Sequence, residues 1–304
     1  TSPRIALAGS VSFSRTTLAR LLAHHANVAG VLGLSEAKSR GVSDYARLDD
    51  LARDAGVEYV DFASINEDAV VDAVRRWQPD VLFVVGLSQL VRDEVMSIPA
   101  RGCVGFHPTR LPKGRGRAPV AWLTWFGIGG AATFFQIDEG VDSGPIFVQE
   151  PFDVRPGQYS EETIATVNAA IERALDRWLP SLIAGDWSPT PQDHSQATYW
   201  GRRAAEDGFI DWNRPASEIA RLVRTAGRPY PGAYTYNKGK KAIIWRADVD
   251  ENPIHLGITG RILSLEPDGT VLVQTGDGVL RIRELELEEG EKLAVGAKLG
   301  HAER

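Results

Sequence analysis

Short apolar runs alternate with stretches of helical spacing through the first half of the chain. Residues 5–9, 28–34 and 81–85 are almost entirely apolar, which is typical of strands buried on both faces. Between two of these runs, Asn66 can cap a helix that carries Val70, Val74 and Trp77 on one side. The alternation predicts an α/β domain with a mostly parallel sheet and helices on both of its faces.

In such a Rossmann-like sheet, ligands bind beyond the carboxyl ends of the strands, where the connections diverge. We therefore expect function in the turns that follow Leu7, Val85 and Phe106. Further strands are predicted at residues 57–60, 131–136 and 146–154, and a long helix over 161–183 is predicted to close the domain. The catalytic domain is accordingly assigned to residues 1–185.

The pattern changes beyond residue 185. The segment 186–204 begins with Asp, Ser, Pro and Gln residues, which is typical of a linker. From residue 205 to 304, one short helix is followed by five β-like runs with turns such as 267–269 between them. This spacing predicts a small C-terminal β-barrel that is OB-like.

Charge and cysteine content limit the classes of function. The chain has 34 Lys and Arg residues against 40 Asp and Glu, and this net charge of −6 argues against a broad nucleic-acid surface. Cys103 is the only cysteine, so an internal disulfide and a cysteine-built zinc site are excluded and a reducing, cytoplasmic setting is favoured. The apolar runs are too short to cross a bilayer, so we expect no membrane contact and no metal.

The densest polar motif spans residues 105–119. His107 directly follows a predicted strand, and Pro108 makes the loop after it rigid. A lone histidine is more often structural than catalytic, but its place at the sheet edge gives the catalytic interpretation equal weight. The basic side chains that crowd this loop form either a solvated surface or an anion site: Arg110, Lys113, Arg115 and Arg117.

A second motif, residues 136–145, places Asp138, Glu139 and Asp142 in a Gly-rich turn between two predicted strands. Aspartates in turns usually accept hydrogen bonds from the backbone. Beside a histidine, a carboxylate can also fix the imidazole tautomer and stabilise the charged ring. We therefore predict that His107 and Asp142 meet at the sheet edge.

Together these motifs resemble the 10-formyltetrahydrofolate-dependent formyltransferase family, which includes methionyl-tRNA formyltransferase, glycinamide ribonucleotide formyltransferase and the sugar N-formyltransferases. The resemblance is carried by residues 107–108, 111–112, 115–119 and 138–144, and by residues 210–212, 228–233 and 276–278 in the C-terminal half. It implies transfer of a formyl group from 10-formyltetrahydrofolate to an amine, without metal or covalent enzyme intermediate. His107 would lie next to the developing oxyanion, and Asp142 would hold His107 and help to accept the amine proton.

The resemblance also implies a pocket for the folate. Its candidate residues are Gly86, Leu87, Leu90, Asp138, Glu139, Gly140 and Val141. Backbone groups would read the pterin edge, and leucine and valine side chains would supply apolar walls. Ser10, Arg15 and Arg115 are the candidates for substrate binding, the two arginines either pairing with a diphosphate or serving as surface charges.

In one position the sequence departs from the family pattern, which normally reads Asn-x-His. Gly105 stands at the asparagine position, so the amide donor to the oxyanion is missing. Ser88 and Gln89, in the turn after the central strand, are the candidates to replace it, although either residue could simply shape that turn. The same departure allows two alternatives, a 10-formyltetrahydrofolate hydrolase and a non-catalytic folate-binding protein.

For the acceptor, the acidic balance favours a small amine, such as a nucleotide-linked amino sugar, over an initiator tRNA. A local basic patch at Lys238, Lys240 and Lys241 keeps the tRNA alternative, methionyl-tRNA formyltransferase, open. The C-terminal domain could bind tRNA, mediate a homodimer or cover the first domain.

Overall fold

The computed structural model describes residues 2–301. These residues form two units that are described separately. The first unit contains the residues up to 119, together with 129–153 and 164–201. The second contains residues 120–128, 154–163 and those from 202 onward.

A seven-stranded sheet forms the centre of the first unit. The strands of this unit are β1 (Arg4–Gly9), β2 (Asn27–Leu34), β3 (Tyr59–Phe62), β4 (Val81–Val85), β5 (Gly102–His107), β6 (Arg115–Gly116), β7 (Gly130–Gln136), β8 (Ile146–Phe152) and β9 (Tyr199–Trp200). The sheet order is β3-β2-β1-β4-β5-β7-β8. Strands β1 to β5 pair in parallel, whereas β7 and β8 are antiparallel. The carboxyl ends of β1, β4 and β5 therefore share one edge, and the connections diverge between β1 and β4.

Helices connect these strands. They are α1 (Ser12–Ala23), α2 (Asp49–Asp54), α3 (Asp68–Trp77), α4 (Asp93–Met96), α5 (Pro119–Phe126) and α6 (Ser160–Ile183). Helix α3 buries Val70, Val74 and Trp77 in a cluster with Leu32 of β2 and Leu82 of β4. The three helix residues share one side of α3 because they are spaced three or four positions apart.

The second unit contains a curled antiparallel sheet, helix α7 (Ala216–Ala226), most of helix α5 and the first turn of α6. The strands of its sheet are β10 (Ala233–Asn237), β11 (Lys240–Val249), β12 (Ile262–Leu265), β13 (Val271–Gln274), β14 (Val279–Leu287) and β15 (Leu299–Gly300). The strand order is β12-β13-β14-β11-β10-β15. Helix α7 packs Ile219 and Val223 against Ile244 and Leu280 of the sheet. The predicted fold class is confirmed, with a half-barrel as the C-terminal part.

Two local predictions differ from the structure. The third strand was expected at residues 57–60 but lies at Tyr59–Phe62, two residues later. Asn66 does not cap α3, because the residue at the cap is Glu67. The Asn66 amide instead bonds the backbone of Leu90 and Arg92, so it joins two loops.

Most of the segment predicted as a linker, residues 186–204, belongs to the first unit. Thr190 forms an isolated bridge with Ile146 of β8, and β9 pairs in parallel with β6. A two-residue strand carries no alternating pattern, which is why composition alone favoured a linker here.

Candidate active site

His107 is the last residue of β5, and its side chain is only 7% exposed. Its Nε2 lies 2.7 Å from the carbonyl oxygen of Gly114. Because a carbonyl can only accept a hydrogen bond, Nε2 carries the hydrogen in the neutral ring. Nδ1 is therefore the nitrogen that can take up a proton.

Asp142 lies in the loop between β7 and β8, at a left-handed φ of 49°. Its Oδ2 accepts a hydrogen bond of 2.9 Å from the backbone N–H of Gly116 and lies 3.6 Å from Nδ1 of His107. The Asp142 side chain is 20% exposed. The structure thus brings the predicted imidazole and carboxylate together at the sheet edge, and a proton on Nδ1 would face the carboxylate, which stabilises the charged ring.

Gly105 lies two residues before His107 on β5, so a side chain there would point to the same face of the strand. That space is filled by apolar atoms. A Cβ at residue 105 would lie 2.9 Å from Cζ of Phe135 and 3.0 Å from Cγ1 of Ile137. Phe135 is the partner of Gly105 across the β5–β7 pair. An asparagine at this position would therefore require the Phe135 or Ile137 side chain to shift.

The two predicted replacements for this asparagine differ in their surroundings. Both amide atoms of Gln89 are engaged, because Oε1 accepts from the N–H of Ile65 at 2.7 Å and Nε2 donates to the carbonyl of Ala63 at 2.9 Å. Ser88 is exposed. Within residues 2–301, the Ser88 hydroxyl forms no hydrogen bond. Of the two candidates, Ser88 is therefore the one whose side chain is available to a ligand.

The residues predicted to hold the folate lie on two segments that border one apolar cluster. Leu87 and Ile137 both pack against it. Leu90 and Val141 are 85% and 59% exposed, so both leave apolar surface uncovered on these two segments. Gly86 has a φ of 63°, while Glu139 is exposed.

Asp138 shapes the second of these segments. Its Oδ1 accepts from the Ser143 hydroxyl at 2.6 Å and from the N–H of Gly140 at 3.0 Å. These bonds fold the loop on itself, as is common for aspartate in turns. The carboxylate of Asp138 is thus committed to loop structure, whereas that of Asp142 faces His107.

Comparison with known proteins gives the family. The chain matches the family model described as "Formyl transferase" over residues 4–183 and the one described as "Formyl transferase, C-terminal domain" over residues 203–299. The chain belongs to the formyltransferase family. The enzyme class predicted from the sequence motifs is thereby confirmed.

A relative of this formyltransferase and two solved structures are similar over most of the chain. A methionyl-tRNA formyltransferase of Syntrophomonas wolfei is 30% identical over 93% of this chain and 90% of its own. The crystal structure of HypX from Aquifex aeolicus in complex with tetrahydrofolic acid has a TM-score of 0.68 at 20% identity. It matches 96% of this chain, which spans only 45% of HypX. The N-formyltransferase from Helicobacter canadensis, in complex with folinic acid and dTDP-3-aminofucose, has a TM-score of 0.62 at 14% identity, over 91% and 98% of the two chains.

The residues predicted to bind substrate in this formyltransferase are engaged within the protein. The Ser10 hydroxyl donates to the carbonyl of Gly86 at 2.8 Å, which ties the ends of β1 and β4 together. Arg15 forms two hydrogen bonds of 2.6 and 2.8 Å to the carboxylate of Asp50. This guanidinium lowers the pKa of the Asp50 carboxyl to about 2, chiefly through the hydrogen bonds.

Arg115 is 2% exposed and is held by neutral groups. Its guanidinium donates to Oε1 of Gln192 at 2.8 Å, to the hydroxyl of Tyr199 at 3.0 Å and to Nδ1 of His194 at 2.9 Å. A substrate phosphate would reach Arg115 only after a rearrangement of these partners. Its assignment to substrate binding stays a prediction.

Gln192 was missed by the sequence reasoning. Its Nε2 donates to the carbonyl oxygens of Asp142, at 2.9 Å, and Gly144, at 2.7 Å. Thr198, from the same segment, accepts from the N–H of Gly114 at 2.8 Å through its hydroxyl. The loop that follows His107 and the loop that carries Asp142 are thus both bonded to residues 190–200, and no local sequence signal pointed to this segment.

Cys103 is buried on β5, and burial raises the pKa of its thiol to about 12. It is therefore protonated at neutral pH and unsuited to act as a nucleophile. Among residues 2–301 there is no group of three or more His, Cys, Asp and Glu side chains that could hold a metal ion. None of the helices in the same range has the length and apolar character needed to span a membrane.

Many cationic side chains of the second unit are paired with carboxylates of the same unit. The pairs are Arg214 with Glu218, Arg228 with Glu284, Arg246 with Glu161, Arg281 with Asp250, Arg283 with Asp248, and Lys240 with Glu288 and Glu291. A surface that binds nucleic acid presents unpaired Lys and Arg to phosphates. This pairing reduces the positive charge around these residues, whereas Lys238 and Lys241 of the predicted basic patch form no ion pair within residues 2–301.

Proposed function

We propose that this formyltransferase transfers a formyl group from 10-formyltetrahydrofolate to a primary amine, with His107 and Asp142 as the catalytic pair. The observation that carries the proposal is the 3.6 Å approach of Nδ1 of His107 to Oδ2 of Asp142 at the carboxyl edge of the sheet. Acyl transfer to an amine needs a group that moves protons and one that stabilises the resulting charge, and this pair supplies both.

Two features of the predicted folate residues support this proposal. Leu90 and Val141 leave apolar surface uncovered, which a flat heterocycle bound between the two segments would cover. The loop folded by Asp138 holds backbone groups in fixed positions beside Val141. When bound there, 10-formyltetrahydrofolate would supply the formyl carbon that the amine attacks.

His107 and Asp142 divide the proton handling between them. Because Nε2 stays bonded to Gly114, Nδ1 of His107 is the atom that, as N–H, would donate to the formyl oxygen as that oxygen gains negative charge. The same N–H would then pass its proton to the folate nitrogen whose bond to the formyl carbon breaks, and Nδ1 would regain a proton from the one that Asp142 takes from the amine. Asp142 balances the charged imidazole and, because its side chain is partly exposed, accepts the amine proton through water.

For the acceptor we propose a small amine, such as that of a nucleotide-linked amino sugar. The pairing of cations in the second unit supports a small acceptor over an RNA. The net charge of −6 supports it as well. The fold is similar to that of the Helicobacter canadensis N-formyltransferase, whose crystal structure contains dTDP-3-aminofucose, and this likeness supports the proposal.

A second candidate acceptor is an initiator methionyl-tRNA. It is favoured by the 30% identity to the methionyl-tRNA formyltransferase of Syntrophomonas wolfei over nearly the whole chain. RNA binding would depend steeply on salt, because it releases counterions from the phosphates.

Incubation of the full chain with 10-formyltetrahydrofolate tests the proposal. We expect tetrahydrofolate to be released only when an amine from a panel of nucleotide-linked amino sugars is present. Release that depends on methionyl-tRNA and falls steeply with salt would select the second acceptor. Release without any amine would mean a hydrolase, and retained folate binding without release would mean a non-catalytic protein; either result overturns the proposal.

Paired histidine variants make the test specific. We expect H107N to lower turnover by about 100-fold or more, because the proton-transferring ring is lost. H25N changes an exposed histidine in the same way and should keep the original turnover.

A further inference from the structure

We propose that Gln192 is a positioning residue that holds the Asp142 carboxylate within reach of His107. Gln192 belongs to residues 190–200, here called the strap. This inference rests on the function proposed above, because it assigns a role in the same site. Gln192 is buried, and both N–H bonds of its amide go to the loop that carries Asp142: they reach the carbonyls of Asp142 and Gly144.

The amide oxygen of Gln192 is held by the charged guanidinium of Arg115. Oε1 of Gln192 accepts from Nε of Arg115 at 3.3 Å and from Nη2 at 2.8 Å. Hydrogen bonds from a charged donor are stronger than neutral ones. Since a guanidinium only donates and a carbonyl only accepts, the amide has a single orientation, with its oxygen toward Arg115 and its nitrogen toward the Asp142 loop.

The Asp142 loop needs such a restraint. Asp142 has a φ of 49°, a left-handed conformation that is uncommon outside glycine, although aspartate adopts it more often than most residues. Such a conformation persists where surrounding bonds over-determine it. Here the bonds are the two from Gln192 and the one from the Gly116 N–H to Oδ2, and only the last acts on the carboxylate itself.

Gln192 also links the two halves of the site. Its partner Arg115 begins β6, which pairs with β9 of the strap, and Gly116 of β6 is the donor to Asp142. A Cβ on Gly116 would lie 2.4 Å from the carbonyl oxygen of Trp200, so the strap packs directly on this strand. The strap therefore sets where the Gly116 N–H and the Asp142 backbone lie with respect to each other.

The variant Q192E separates positioning from packing. A carboxylate keeps the length of the side chain and pairs with Arg115, but it cannot donate to the carbonyls of Asp142 and Gly144. We expect kcat to fall by about 10- to 100-fold, since a displacement of about 1 Å in a catalytic group can cost 100-fold. The KM for 10-formyltetrahydrofolate should change little. Hydrogen exchange of the Gly116 amide should become faster as its acceptor moves away.

The matched control is Q196E, which makes the same replacement at an exposed glutamine of the strap. It should leave kcat and the Gly116 exchange unchanged. Should Q192E fail to fold, Q192N gives the answer, because its neutral but shorter amide cannot span from Arg115 to both carbonyls.

The outcomes separate this inference from the proposed function. Unchanged kcat in Q192E, or a lower kcat with unchanged Gly116 exchange, overturns the positioning role. If the unsubstituted protein releases no tetrahydrofolate with any amine, the proposed function fails. The exchange measurement still decides in that case: faster exchange supports the restraint on Asp142, and unchanged exchange overturns it.

Discussion

The closed space at Gly105 leads to a stability prediction that can be worked out from distances. Gly105→Ala adds one methyl group, whose carbon would lie 2.9 Å from Cζ of Phe135 and 3.0 Å from Cγ1 of Ile137. Carbon atoms in contact normally lie about 3.5–4.0 Å apart, so both neighbours must move by about half an ångström or more. Phe135 is buried in β7, so a shift of its ring disturbs the packing around it. Overpacking of this kind typically costs about 1–3 kcal/mol.

The matched control is Gly201→Ala, where a Cβ has no atom within 4 Å. Both replacements restrict the unfolded chain by the same amount, about 0.4–1 kcal/mol, so their difference isolates the crowding. We expect G105A to be less stable than G201A by about 1–3 kcal/mol, which corresponds to a Tm lower by roughly 2–12 °C for a unit of about 200 residues. Thermal unfolding followed by tryptophan fluorescence measures this difference.

Equal melting temperatures of G105A and G201A would refute the reasoning, because the space beside β5 would then be open. In that case G105N should restore the family asparagine and raise turnover. With the space closed, as the distances indicate, G105N should be less stable than G105A and should not raise turnover, since its amide would enter an apolar environment without a partner.

Three further predictions concern the charged and reactive groups. D142N keeps an oxygen for the Gly116 N–H but loses the charge beside His107, so kcat should fall by about 100- to 10,000-fold while folate binding, measured by fluorescence titration, stays the same. The Arg15–Asp50 pair stabilises the folded state at pH values above the usual carboxyl pKa, because the pKa of Asp50 is lowered to about 2 in the fold. This stabilisation is lost as the pH falls toward that value. The difference in free energy of unfolding between the protein and R15A, measured by urea unfolding, should therefore shrink from pH 5 to pH 2. Because the pKa of Cys103 is about 12, the folded protein at pH 8 should react with a disulfide reagent far more slowly than the protein in urea, and C103A should keep its turnover; a fast native reaction would contradict the burial argument.

The parallel sheet could be predicted because strands buried on both faces leave unbroken apolar runs. Strand β4 lies at Val81–Val85, the residues that the sequence predicted. Strand β3 was placed two residues early, since its short sequence alternates and carries no clear boundary. His107 and Asp142 could be predicted to meet because each lies where a strand ends or a turn joins two strands at the same edge.

The supporting parts of the site could not be read from the sequence. Gln192 stands in a stretch whose composition is that of a linker, and its partner Arg115 is 77 residues away. The filling of the space at Gly105 depends on the pairing of that residue with Phe135 across an antiparallel pair, a register that no local pattern specifies. The partners of Arg15 and Arg115 are likewise distant in sequence, so the sequence alone could not show that both guanidinium groups are bonded within the protein.

The pairing of β9 with β6 has a consequence for how this protein can be divided or recombined. The match to the N-terminal family model stops at residue 183, yet the first unit continues to Gly201. A gene fusion that joined a different C-terminal module at residue 183 would discard Gln192 and Thr198 along with it. An exchange of modules must therefore keep residues 184–201 with the first unit, so that the hydrogen bonds from Gln192 and Thr198 to the Asp142 and Gly114 loops are retained.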